Sequence, residues 1–245
     1  MKQYRANLAS QIVAAFLTAV IAMAVLLAIP SIYAQGGDVQ ARLAELKESS
    51  AQNKRVLAQY TWIEVDKISL KGQERKQQRF QVRVGADGKP AKTSLDSEPQ
   101  AQQPQGGRLK QRIVAKKREE YEEYAENMKV LAQQYVPPDK DAIQQAYSKG
   151  NVAITPSAGS PDTVKIVIQN FVKPDDSVTI LFDKVQKQIE SIKIASYIDG
   201  RSDGMTLDVN FSKLPDGTSH VSSVFVDGAA KQLTVDMQNS DYRKL

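Results

Sequence analysis

Between residues 177 and 239, short runs of alternating apolar and polar residues are separated by Asp-Gly pairs. Met205, Leu207, Val209 and Phe211 share one parity, and Thr206, Asp208 and Asn210 the other, which is the period of a strand with two distinct faces. Asp199-Gly200, Asp203-Gly204, Asp216-Gly217 and Asp227-Gly228 predict tight turns, because both residue types tolerate positive φ. The pattern predicts strands over 177–185, 189–198, 205–214, 219–226 and 232–237, an antiparallel meander. A strong strand is expected at 163–172, with Val164, Ile166 and Ile168 on one face, and a short one at 151–154. Lys173-Pro174-Asp175-Asp176 reads as a turn.

Upstream the periods change. Residues 38–59 read as a helix with Asp38 as N-cap and an apolar stripe through Val39, Leu43, Leu46, Val56 and Leu57. Residues 60–70 predict a strand with Tyr60 and Trp62 facing one way and Ile63 and Val65 the other. A second strand at 78–84 turns Phe80, Val82 and Val84 inward and Arg79, Gln81 and Arg83 outward. Residues 94–107, rich in Pro, Gln, Ser and Gly, read as a mobile loop of a length that is functional or disordered in a compact domain. Residues 108–135 predict the longest helix, with Leu109, Ile113, Tyr121, Tyr124, Met128, Leu131 and Tyr135 at helical spacing. Its charged section at 116–126 reads as a solvated face. Pro137 and Pro138 stop it, and a short helix follows at 139–149.

Several strands carry apolar residues on both faces: Ile180 and Phe182 against Leu181 and Val185, and Ile192 and Ile194 against Ala195 and Tyr197. A sheet with one wet face alternates more cleanly. The expected fold is α+β: a long curved antiparallel sheet, an incomplete barrel, packed on an N-terminal helix and an inserted helical pair at 108–149. Residues 35–245 are expected to form a single domain.

The first 34 residues read as a secretory signal. Lys2 and Arg5 precede an apolar run at 12–29, Pro30 breaks it, and Ala34 is the small residue that cleavage needs. The run is also nearly long enough to span a bilayer, so an inner-membrane anchor is the alternative. Either way the body lies beyond a membrane, periplasmic or extracellular if cleaved. The chain has no cysteine, so its fold has no disulfide and rests on its core. Of 33 basic and 28 acidic residues, Lys2 and Arg5 belong to the leader, leaving +3, too mild to imply nucleic acid.

The residue types of familiar chemistry are sparse. His220 is the one histidine and reads as structural. No nucleophile elbow, Gly-rich phosphate loop or metal-ligand cluster is present in the sequence, so no catalytic residue, metal or cofactor is assigned. Asp199 and Asp203 lack the ligand spacing of a calcium loop. One charge asymmetry stands out. Residues 67–92 hold eight basic and two acidic residues, a net +6, including Lys71, Arg75, Lys76, Arg79 and Arg83. This is either a solvated, edge-protecting hairpin or a basic patch for an anionic partner such as lipid headgroups.

The element order, together with Tyr60-Thr61-Trp62-Ile63-Glu64 opening the first strand and the Leu214-Pro215-Asp216-Gly217-Thr218 turn, resembles the periplasmic lipoprotein-carrier (LolA-like) architecture over most of residues 38–245. The resemblance implies a half-barrel, lidded by helices, that holds acyl chains without enzymatic activity. Each methylene buried there contributes about 0.8 kcal/mol. Tyr60, Trp62, Phe80, Tyr121, Tyr124, Met128, Phe182 and Phe211 are the candidate cavity-lining residues, and each would equally close a solid core. Two other readings stay open: a solid-core envelope sensor or scaffold that binds another envelope protein through the basic hairpin and loop, and a hydrolase of envelope polymers.

Overall fold

A computed structural model describes residues 51–86, 88–96, 108–135, 140–186 and 188–245. The expected leader, most of the expected N-terminal helix and most of the expected 94–107 loop lie outside the described residues. The described chain runs from helical residues 51–57 (α1) into ten strands and two further helices. The strands are β1 (Tyr60–Leu70), β2 (Gln73–Val84), β3 (Pro90–Ser94), β4 (Val152–Ser157), β5 (Ser160–Gln169), β6 (Ser177–Asp183), β7 (Gln188–Tyr197), β8 (Gly204–Lys213), β9 (Ser219–Gly228) and β10 (Leu233–Lys244). Helices α2 (Arg108–Tyr135) and α3 (Lys140–Ser148) lie between β3 and β4.

All ten strands form one open antiparallel sheet in the order β3-β2-β1-β10-β9-β8-β7-β6-β5-β4. Strands β4 to β10 are the expected meander. The last strand then pairs along its length with the first, from Tyr60 opposite Lys244 to Leu70 opposite Leu233. The register shifts between β1 and β10, β6 and β7, and β8 and β9, and the extra residue on β10, β7 and β9 bends that strand and tightens its twist. Both sheet edges are short and carry proline, Pro90 in β3 and Pro156 in β4, which discourages pairing with another chain.

The topology explains the length of α2. The chain leaves the sheet at one edge, β3, and re-enters at the other, β4. Helix α2, of 28 residues and about 42 Å, provides most of that return: it packs on the inner face from Tyr124 to Tyr135, and the short α3 completes it.

The inner face is built from cross-strand rows. One row reads Ile166, Ile180, Ile192, Val209, Val224 and Met237, and the next Ile168, Val178, Ile194, Leu207, Val226 and Val235. All are buried. Tyr124, Met128, Leu131, Ala132 and Tyr135 of α2 and Ala146 of α3 join the same core.

Three expectations need correction. Strand β2 begins at Gln73, five residues before the expected start, because Lys71 and Gly72 turn with positive φ and pairing resumes at once. Residues 90–94 form a strand where none was expected between the strand at 78–84 and the loop at 94–107. Asp227-Gly228 is the end of β9 rather than a turn: Gly228 pairs with both Met205 and Leu233, and the chain reverses over 229–232. Of the four meander glycines, Gly217 alone has a left-handed φ, at 85°.

Candidate functional site

Helix α2 is fastened to the turns it crosses through tyrosine hydroxyls. Tyr124 donates to Asp203 Oδ1 in the β7–β8 turn at 2.6 Å. Tyr135 donates to Asp176 Oδ2 in the β5–β6 turn at 2.6 Å and meets Ser196 Oγ at 2.7 Å. Asp176 also accepts from the backbone N–H groups of Phe171, Val172 and Lys173, so this buried carboxylate organises the turn and receives the helix. Burial first, and then these carboxylates, push both tyrosine hydroxyls well above their usual range, so they remain donors. Gly228 provides the close approach: a Cβ there would lie 2.6 Å from Tyr124 Cε1 and 2.8 Å from Met128 Sδ.

The apolar rows change character at one end of the sheet. The first row continues from Met237 to Asp66 and Gln78, the second from Val235 to Ile68 and Lys76. Glu64 sits two residues from Asp66 on the same face, between Asn239 and Phe80 on the neighbouring strands. Lys92 reaches in from β3, forms an ion pair with Glu64, stands 3.6 Å from Asp66 and lies over the Phe80 ring. Glu64 is fully buried and Asp66 is 4% exposed. Burial first, and then the Glu64 charge, push the Asp66 carboxyl up to about 8, so it holds its proton at neutral pH.

Beside this cluster runs an aromatic and amide layer. Trp62 stacks on Tyr242, which packs on His220 at 4.2 Å between ring centroids. The Val221 carbonyl accepts from Asn239 Nδ2 at 3.1 Å and from the Tyr242 hydroxyl at 3.2 Å, and His220 Nδ1 lies 3.0 Å from the same oxygen. Burial lowers the His220 pKa, so the ring stays neutral and structural. With its nitrogen engaged, Asn239 has its Oδ1 left without a partner. Trp62 Nε1, Glu64 Oε2 and both Asp66 oxygens likewise accept or donate no hydrogen bond among the described residues, Lys92 approaching Asp66 only to ion-pair distance. Unmet buried polar atoms are costly and rare. Five of them gather on one patch of the inner face. Because Asp66 holds its proton, its hydroxyl is a second donor beside Trp62 Nε1, and the complement of the set is a polar group that offers both donors and acceptors.

The sequence candidates fall into several places. Trp62, Phe80, Tyr124 and Met128 are buried on the inner face, and Phe182 and Phe211 pack partly buried against the core. Tyr121 is half-buried with Lys231 over its ring. Tyr60 lies at the opposite end of the sheet from α2, its hydroxyl donating to Asp216 in the β8–β9 turn. The basic residues do not form one patch. Arg75, Arg79 and Arg83 are exposed on the outer face of β2, Lys76 points to the inner face with the parity of Phe80, and Lys71 sits in the turn. Glu64 and Asp66 were legible as inward, since they share the parity of Trp62. Lys92 and Asn239 were not, because β3 and the far half of β10 were not expected.

A carboxyl pair with a displaced titration is also the apparatus of a hydrolase. Here both carboxyls are buried on the inner face. Among the described residues, no group of three or more His, Cys, Asp or Glu is placed to hold a metal ion.

No protein-family model matches the chain, and no curated protein matches it. Solved structures similar to it include a LolA-superfamily protein from Nitrosomonas europaea (10% identity, TM-score 0.34, covering 80% of this chain and 91% of that one). A DUF1329-family protein from Desulfovibrio piger shares 12% identity at TM-score 0.38, over 79% of this chain and 89% of that one. A putative outer membrane lipoprotein-sorting protein domain from Vibrio parahaemolyticus shares 8% at TM-score 0.34, over 79% and 90%. The element-order resemblance read from the sequence is to the group that two of these names denote. At such scores the likeness carries no argument for function, which must come from this chain's own residues.

Proposed function

We propose that this chain is an exported, non-enzymatic binding protein for an amphiphile. The acyl portion lies against the apolar rows beneath α2, and a polar head group that both donates and accepts meets Glu64, Asp66 and Asn239. The carrying observation is the placement of five unmet polar atoms at the end of an otherwise apolar face. A solid core has no use for them, and replacing such a cluster by apolar residues is commonly neutral or stabilising. Entry requires α2 to lift. Its polar attachments to the turns are of the order of 1–3 kcal/mol each, weak enough to open when an acyl chain replaces the apolar contacts.

Two further points belong to the same proposal. Cleavage after Ala34 delivers the body to the periplasm or exterior, and the anchor at 12–29 is the alternative; N-terminal sequencing of the fractionated protein separates them. The exposed Arg75, Arg79 and Arg83 stripe favours a second reading, contact with another envelope protein, which a pull-down unchanged by reversing all three charges would exclude.

A competition titration tests the main reading. A fluorescent fatty-acid probe is displaced by a long-chain alkylamine and by the matching fatty acid. The proposal expects saturable binding and displacement by both competitors, weakened in Asp66→Asn/Glu64→Gln. Absence of saturable probe binding would defeat it.

A further inference from the structure

Helix α2 is divided by charge. From Arg108 to Arg118 the sequence holds six basic residues and no acidic one, and from Glu119 to Glu126 five acidic residues and no basic one. It is also divided by contact. Residues 112–120 are exposed, whereas the helix packs on the sheet from Tyr121 onward. The basic section thus overhangs the body.

At 100° per residue, Ile113 lies within about 20° of Tyr124 and in line with Leu131, and Val114 follows Tyr121. The stripe that packs on the sheet therefore continues into the overhang without a partner among the described residues: Ile113 is 53% and Val114 52% exposed. Lys117 stands in the same stripe, and Arg112, Lys116 and Arg118 flank it. This composition works against the helix in isolation. No acidic residue occupies the first turn, so the positive end of the dipole meets positive side chains, and Arg112 and Lys116 repel at i,i+4. Half-buried Lys76 adds another cation near Arg118; its pKa is lowered by burial first, with Arg118 adding to the effect.

We propose that this overhanging section docks the protein on an anionic lipid surface. Ile113 and Val114 seat at the boundary of headgroups and acyl chains, the stem of Lys117 lies along them with its ammonium in the headgroup layer, and Arg112, Lys116 and Arg118 meet the phosphates. A nucleic acid or acidic protein would satisfy the charge but not the exposed apolar stripe between the basic residues. Docking needs no occupied interior, so it stands or falls separately from amphiphile binding.

The absence of cysteine makes the test direct. In the full chain, Val114→Cys takes an environment-sensitive fluorophore at one position. Val185→Cys, in the β6–β7 turn at the other end of the sheet and 69% exposed, serves as the distant reporter. Phosphatidylglycerol vesicles should shift the emission at position 114 to the blue, reversibly in high salt, with phosphatidylcholine vesicles and position 185 unresponsive. Reversal of Arg112, Lys116 and Lys117 to Glu should weaken the apparent affinity about a hundredfold or more. All three side chains are exposed, and an unchanged melting transition confirms folding; the lipid comparison on the unreversed chain decides without that variant. No shift at 114, an equal shift with both lipids, as insertion of the leader alone would give, or the same shift from an acidic polypeptide without lipid would overturn the proposal.

Discussion

Tyr124 donates its hydroxyl hydrogen to Asp203 Oδ1 over 2.6 Å, and this bond ties the long helix to the β7–β8 turn. Tyr135 does the same for Asp176 in the β5–β6 turn. If these bonds hold α2 closed, Tyr124→Phe should cost about 1 kcal/mol in urea unfolding, and Tyr135→Phe about 1–3 kcal/mol because its partner is buried. The closed helix should also open more often, visible as faster amide exchange in α2 with the sheet unchanged. Equal acceleration throughout the sheet would mean that the helix is an inseparable part of one cooperative unit.

Gly228 allows that closure. An alanine methyl there meets Tyr124 Cε1 at 2.6 Å and Met128 Sδ at 2.8 Å. Gly228→Ala should destabilise by about 1–3 kcal/mol and displace α2. Gly228→Ala/Met128→Ala should recover part of the first loss in a double-mutant cycle. Strictly additive losses would show that the methyl does not meet Met128.

Asp66 and His220 give opposite dependences on pH. The Asp66 carboxyl titrates near 8 in the folded chain and near its ordinary value when unfolded. The folded state therefore binds the extra proton, and stability falls as pH rises from about 4 to 8. His220 is held neutral, so the unfolded state binds the extra proton and stability falls as pH drops below the ordinary histidine value. Asp66→Asn should remove the loss between pH 6.5 and 8 in thermal melts and, because the Asp66 contribution opposes that of His220 below pH 6.5, steepen the acid-side loss. A variant whose profile parallels the parent over that window would show that Asp66 is ionised in the fold.

The strand periods are legible in the sequence because each inward residue alternates with an outward one, and the boundaries of α2 are legible from its stripe and from Pro137 and Pro138. The closing of the chain on itself is not. The pairing of β1 with β10 joins residues from Leu70 and Leu233 to Tyr60 and Lys244, far apart along the chain, and no local pattern encodes a partner. Asp227-Gly228 misleads for a related reason: the glycine answers to the approach of Tyr124 and Met128, a tertiary demand that resembles turn chemistry. The charged cluster is half legible. Glu64 and Asp66 share the parity of Trp62, but a carboxylate on an inward position gains meaning only when Lys92 and Asn239 arrive from strands that the pattern leaves undrawn. The overhang at Ile113 and Val114 reads in sequence as ordinary core stripe, because periodicity cannot tell where the sheet beneath a helix ends.

Native mass spectrometry of the full chain, purified without added lipid from the envelope of the cells that make it, tests the central claim most directly. Amphiphile binding predicts a bound species at the mass of an acyl-bearing molecule, present in the parent, reduced in Asp66→Asn/Glu64→Gln, and released when α2 is freed by Tyr124→Phe/Tyr135→Phe. A single peak at the mass of the polypeptide alone, unchanged after incubation with long-chain amines and fatty acids, would contradict it.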